Sequence, residues 1–151
     1  MKPLIVSIPH SGTRFLKERL GIGENVHTYQ DWYFLIEKVT GRELIAPLRD
    51  PLSVWESWSK RYANFPYFTF AFHWYGMHVL DQLYDIDFIC LEQKSDPRIK
   101  DWSSVGSEKL EYNNPGALQS PPADISALFA LPFVKRHYNT KTRAAYVPKR
   151  I

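Results

Sequence analysis

A chain of 151 residues with 44% hydrophobic content supports one packed core and not two. Its formal net charge of +3, from 19 basic and 16 acidic residues, is too small for a bulk nucleic-acid binder and suits a small anionic ligand. No stretch approaches the ~20 apolar residues of a membrane span, and the apolar run 3–9 is short and passes straight into a polar loop, unlike a signal peptide; a cytoplasmic protein without membrane partners is expected.

Cys90 is the single cysteine, so an internal disulfide is excluded, and its apolar setting, Phe88-Ile89-Cys90-Leu91, reads as a buried strand thiol. Residues 3–9 read as a buried strand. After a polar loop comes a helix carrying Phe15, Leu16 and Leu20, stopped by Gly21-Ile22-Gly23. A short strand over 25–29 precedes a helix over 31–39 with Trp32, Leu35, Ile36 and Val39 on one face. A third strand, 43–48, delivers Arg49. Asp50 then fits a helix cap and Pro51 the first helical position of a helix running to residue 62.

The Asn64-Phe65-Pro66 break leads to an aromatic helix over 69–84 and a strand over 87–92. Segment 94–122, rich in Ser, Asn, Pro and charge, reads as long and irregular. Asp124 is placed to cap a last helix, 125–138, which Pro132 should kink, and 139–151 reads as an extended basic tail. Strands alternating with helices imply one α/β domain, 1–151, with a short parallel sheet flanked by helices in three layers.

Two segments carry chemistry. In Ser7-Ile8-Pro9-His10-Ser11-Gly12-Thr13-Arg14, small residues between a strand and a helix let backbone N–H groups converge on an anion at the positive helix end. Gly12 can take φ > 0, and the Ser11 and Thr13 hydroxyls add donors. The Gly-x-x-x-x-Gly-Lys-Ser/Thr pattern of ATP-binding loops is absent, and the loop contains no lysine. In the second segment Arg49 leaves the third strand and Ser57 follows eight residues later. A guanidinium and a hydroxyl on one phosphate give both charge and direction.

Together these segments resemble the two nucleotide-binding signatures of the sulfotransferases. The resemblance is specific over 3–57, extends to Glu92 and thins beyond it. It implies a P-loop NTPase-like fold and transfer of a sulfuryl group from 3′-phosphoadenosine 5′-phosphosulfate to a hydroxyl or amine of a small molecule, a sugar or a tyrosine, with no metal. It implies that His10, Ser11, Gly12, Thr13 and Arg14 hold the 5′-phosphosulfate, and that Arg49 and Ser57 hold the 3′-phosphate. His10 stands where the family often has Lys or Arg, with Arg14 as the compensating cation. By position between the motifs His27 is the general base, with Asp31 as fallback, and Glu92 matches a structural Glu of the family. A late basic loop over the 3′-phosphate has two candidates, Val105-Gly106-Ser107-Glu108-Lys109 and Lys135-Arg136.

His73 and His78 are five apart, a spacing that does not put two imidazoles on one helical face, so they imply no metal site. Phe70, Phe72, Trp74 and Tyr75 read mainly as core. Three other readings stay open: a nucleotide-binding protein without turnover, an ATP-dependent phosphoryl-transfer enzyme, and an interaction module with an aromatic surface. The short chain leaves room for a homo-oligomer in which a partner subunit completes the acceptor site.

Overall fold

The computed structural model describes residues 2–28, 31–61, 66–103 and 123–138. Among these, four strands, β1 (Leu4–Ser7), β2 (Asn25–His27), β3 (Leu44–Leu48) and β4 (Ile86–Cys90), form an all-parallel sheet in the order β2-β1-β3-β4. Five α-helices accompany them: α1 (Thr13–Leu20), α2 (Trp32–Val39), α3 (Pro51–Arg61), α4 (Tyr67–Leu83) and α5 (Pro132–Lys135). Every residue of β1 and β3 is buried, as expected of parallel strands covered on both faces.

Alternation along β1 divides the core into two layers. Ile5 packs with Ile45, Ile89, Leu16 of α1 and Ile99 on one face. Leu4 and Val6 join the larger cluster on the other, formed with α2, α3, α4 and α5. The sequence signals are realised locally. Gly21 ends α1 at φ 66°, and Asp31 caps α2 by accepting from the Tyr33 and Phe34 amides. The Asp50 carboxylate accepts from the Ser53 amide at the head of α3.

Several expectations are corrected. Trp32 does not share the buried face of Leu35 and Val39 but stays exposed. The single kinked helix expected over 125–138 is two pieces, a 3-10 helix at Ala123–Ala130 and α5, broken at Leu131. Leu131 has φ −62° and ψ 134° because the ring of Pro132 disfavours the helical region for the residue before it. Of the irregular segment 94–122, residues 94–103 contain only turns and bends and are fastened to α1: Arg19 donates to the carbonyls of Asp101 (2.7 Å) and Ser103 (2.8 Å), and Phe15 stacks on Trp102. Residues 104–122 and the expected tail, 139–151, lie outside the described residues.

Gly76 lets α4 approach the end of β2, since a Cβ there would stand 3.1 Å from the Thr28 carbonyl oxygen. Gly76→Leu would push the helix off backbone that cannot swing away, so it should destabilise the protein by ~1–3 kcal/mol in urea denaturation. An unchanged midpoint would show that the helix does not depend on this approach.

Candidate functional site

The order β2-β1-β3-β4 makes the gap between β1 and β3 the point where chain direction across the sheet reverses, and open α/β sheets take ligands outside the strand ends at such points. Both sequence segments arrive there, the first from the end of β1 and the second from the end of β3. The ladder between these two strands also stops there. Their register runs Leu4↔Leu44 and Ile5↔Ile45, and the next rung needs an N–H from residue 47, which is proline.

The loop between β1 and α1 is tightly shaped. The Ile8 carbonyl accepts from both the Ser11 amide (3.2 Å) and the Ser11 hydroxyl (2.5 Å). His10 takes the left-handed conformation at φ 66°, and Gly12 lies at φ 103°. At Gly12 a Cβ would come within 2.3 Å of Leu91 Cδ1, so the loop also lies close against the chain after β4. The Pro9 carbonyl accepts from Trp58 Nε1 (2.9 Å), the His10 carbonyl from Arg49 Nη1 (3.3 Å), and the Gly12 carbonyl from the Leu16 amide (3.0 Å). Four of the five carbonyls from Ile8 to Gly12 are thereby engaged, while the Gly12 and Thr13 amides head α1, where no intrahelical carbonyl serves them.

His10 is the meeting point of the two segments. Besides the bond from Arg49 to its carbonyl, its Nδ1 lies 3.2 Å from Ser57 Oγ, and its ring meets Trp58 edge-on. Ser11 has both donors spent within the loop and is buried, so it shapes the loop from inside. Thr13 Oγ1 is buried without a hydrogen-bond partner among the described residues. Arg14 is exposed on the first turn of α1.

His27 ends β2 in register with Ser7, the last residue of β1. Its Nδ1 lies 3.0 Å from Ser7 Oγ and 3.4 Å from the Ser7 carbonyl oxygen. Burial pushes its pKa below the ordinary 6.5, partly opposed by the Ser7 hydrogen bond, with Lys17 adding a smaller downward push. A neutral imidazole whose Nδ1 proton is given to Ser7 presents Nε2 as a base. On α4, His73 is buried and pushed down to about 4, chiefly by desolvation and then by His27, and its Nδ1 lies 3.3 Å from Thr28 Oγ1. Asp31, the fallback base, has a carboxylate oxygen occupied by the α2 cap.

Sequence reading missed a cluster beside the β3–α3 turn. Glu92, just beyond β4, accepts from the Asp50 amide (2.9 Å) and from the Tyr138 hydroxyl (2.9 Å), while Cys90 Sγ lies 3.4 Å from that hydroxyl. Burial pushes Cys90 up to about 12. Glu92 is raised to about 7, mainly by burial, with the Asp50 carboxylate also favouring its protonated form. Trp58 and Ser7 were missed as well, because strand register and the crossing of α3 over the loop are tertiary facts without a local signature. Of the late-loop candidates, Arg136 is paired with Asp81 of α4 (3.1 Å), and 105–109 lies outside the described residues.

Comparison with protein-family models, with curated proteins and with solved structures finds no match for this chain.

The Glu92 carboxyl gives a signed expectation. Its folded pKa of about 7 exceeds the ordinary 4.5, so the folded state binds the extra proton between these values. The resulting stabilisation is complete below pH 4.5 and is lost as pH rises through 7. His73 has the opposite sign, its contribution being lost as pH falls from 6.5 towards 4. Comparison with Glu92→Gln isolates the first effect: relative to this variant, the wild type should lose ~1–3 kcal/mol between pH 5 and pH 7.5 in urea denaturation. Parallel pH curves for the two proteins would refute the assignment.

Proposed function

We propose that this protein is a sulfotransferase with a P-loop-type α/β fold, moving a sulfuryl group from 3′-phosphoadenosine 5′-phosphosulfate to a hydroxyl or amine acceptor. The observation that carries the reading is the convergence of Arg49 and Ser57 on His10, which joins two segments 39 residues apart into one site at the reversal point of the sheet. The buried, unpartnered Thr13 hydroxyl and the amides heading α1 fit the oxygens of a phosphosulfate. Arg49 and Ser57 fit a second phosphate, which distinguishes this donor from ATP. Lack of a loop lysine weighs against ATP-dependent phosphoryl transfer.

In this reading the Gly12 and Thr13 amides, the Thr13 hydroxyl and the positive end of α1 stabilise charge gathering on the donor oxygens. Ser11 keeps the loop in shape. His10 and Arg14 supply donors towards the oxygen that leaves with the nucleotide. His27 Nε2 takes the proton of the acceptor as its oxygen or nitrogen forms the new bond to sulfur; the bond from sulfur to the bridging oxygen breaks, and adenosine 3′,5′-bisphosphate departs. Ser7 holds the imidazole ring in the orientation this requires.

Calorimetric titration with adenosine 3′,5′-bisphosphate, beside 5′-ADP and ATP with and without magnesium, tests the donor site. Preference for the bisphosphate is expected, and Arg49→Ala should weaken it ~10–100-fold, the worth of a charge-assisted contact. Equal affinity in wild type and Arg49→Ala, or preference for magnesium ATP, would sink the proposal. Bisphosphate binding without transfer to any acceptor would instead support a binding protein that lacks turnover.

His27→Ala should abolish transfer while bisphosphate affinity stays within about twofold of wild type. Because burial lowers the His27 pKa, the base is already neutral at pH 7. Single-turnover transfer should therefore be level from pH 7 upward to about pH 8 and decline only on acidification below 6.5. An acid limb centred above pH 7 would exclude His27 as the base.

A further inference from the structure

Helix α4 is apolar on more than the face the core covers. Inward it buries Phe70, Trp74, Met77 and Leu80. Outward it exposes Phe68 (78%), Phe72 (42%), Tyr75 (46%), Val79 (42%) and Leu83 (61%). These five fall within an arc of about 80° at 3.6 residues per turn, and from Phe68 to Val79 their spacing alternates four, three, four, the spacing of a helix-to-helix seam. A helix apolar on both sides is ordinarily covered on both.

We propose that this outer face of α4 is the interface of a homodimer, in which α4 packs antiparallel on α4 of a second copy about a two-fold axis between residues 75 and 76. Three features select a second copy as the occupant. The first is volume: the large side chains, Phe68 and Phe72, occupy one end of the stripe and the smaller Val79 and Leu83 the other. An antiparallel pair sets Phe68 opposite Leu83 and Phe72 opposite Val79, so large meets small along the whole seam.

The second is charge. Asp81 is the sole charged residue of α4, and it is committed to Arg136 within the chain, so no charge on the stripe repels its duplicate. The third is area. At about 200 Å² per aromatic ring and roughly half that for Val and Leu, the exposed fractions give on the order of 430 Å² of apolar surface per copy, or ~860 Å² in a dimer. With the polar share usual in interfaces the total reaches about 1,400 Å², within the range of stable complexes. Tyr75, beside the axis, brings a hydroxyl able to bond its counterpart across the two-fold.

Sedimentation equilibrium of the full chain should report twice its mass of 17.7 kDa at micromolar concentration. Phe72→Lys should raise the dimer dissociation constant at least ~30-fold, because the seam loses a central aromatic in both copies. Residue 72 faces residue 79 of the other copy in the antiparallel register, so Phe72→Lys with Val79→Glu should dimerise about tenfold more tightly than Phe72→Lys with Val79→Lys. Circular dichroism and urea midpoints matching wild type would show that these exposed substitutions leave the fold intact. A wild type that is monomeric up to 100-fold higher concentration, whether the stripe meets another part of the chain or a different protein, overturns the proposal. So does a dimer indifferent to Phe72→Lys, and equal affinity of the two double variants overturns the antiparallel register. None of these readouts depends on nucleotide binding or turnover.

Discussion

The early end of the β1–β3 ladder is the constraint on which the candidate site depends. In β3 the carbonyl of Glu43 faces β1 and that of Leu48 faces β4, so the alternating backbone directs residue 47 towards β1. Residue 47 is proline, and a rung from its nitrogen to the Val6 carbonyl cannot form. On the other side β3 continues paired to β4 through Leu48. The ladder therefore ends early along one seam only, at the place where the strand order reverses, and the chain leaving β1 turns there instead of running on as strand. The Ile8 carbonyl, just past the last rung, finds its partners in the amide and hydroxyl of Ser11.

The same need to satisfy backbone groups governs the remainder of the loop. Trp58 and Arg49 take the next two carbonyls, and each comes from the segment after β3. The strand that cannot pair along its full length thus supplies, from its own continuation, the donors that the loop requires. Binding the carbonyls turns the negative ends of the peptide dipoles away from the approach and leaves amides and a helix terminus to set the local potential. Gly12 at φ 103° is the residue on which this geometry is hardest to reproduce with a side chain, both for its backbone conformation and for Leu91 beside it.

Much of this was legible in sequence because it is local. Apolar runs mark β1, β3 and β4, and Asp31, Asp50 and Gly21 mark helix ends by chemistry that acts within a few residues. The two segments of the candidate site were legible for the same reason, as short patterns of small, hydroxyl-bearing and basic residues. The contacts that unite them were not. That Arg49 and Ser57 meet at His10 depends on strand order, which hydrophobic periodicity does not encode. The Glu92 cluster escaped because its members come from three separate parts of the chain, and the break at Leu131 because a proline within an apolar-periodic segment reads equally as a kink or a stop.

The end of β2 shows how one register couples separate parts of the candidate site. Ser7 ends β1 and opens the loop, and across the β1–β2 ladder it also faces His27, so a shift of this pairing by one residue would turn the imidazole to the other face of the sheet. Beyond β2, Thr28 meets both His73 and the Gly76 position of α4. Two imidazoles thus lie close enough to influence each other, and desolvation favours the neutral form of both. A proton on His27 raises the cost of a proton on His73, beyond the cost of burial. The packing of α4 on the end of β2, made possible by a glycine, therefore brings His73 within reach of the charge on His27, and through Ser7 the same strand end meets the loop.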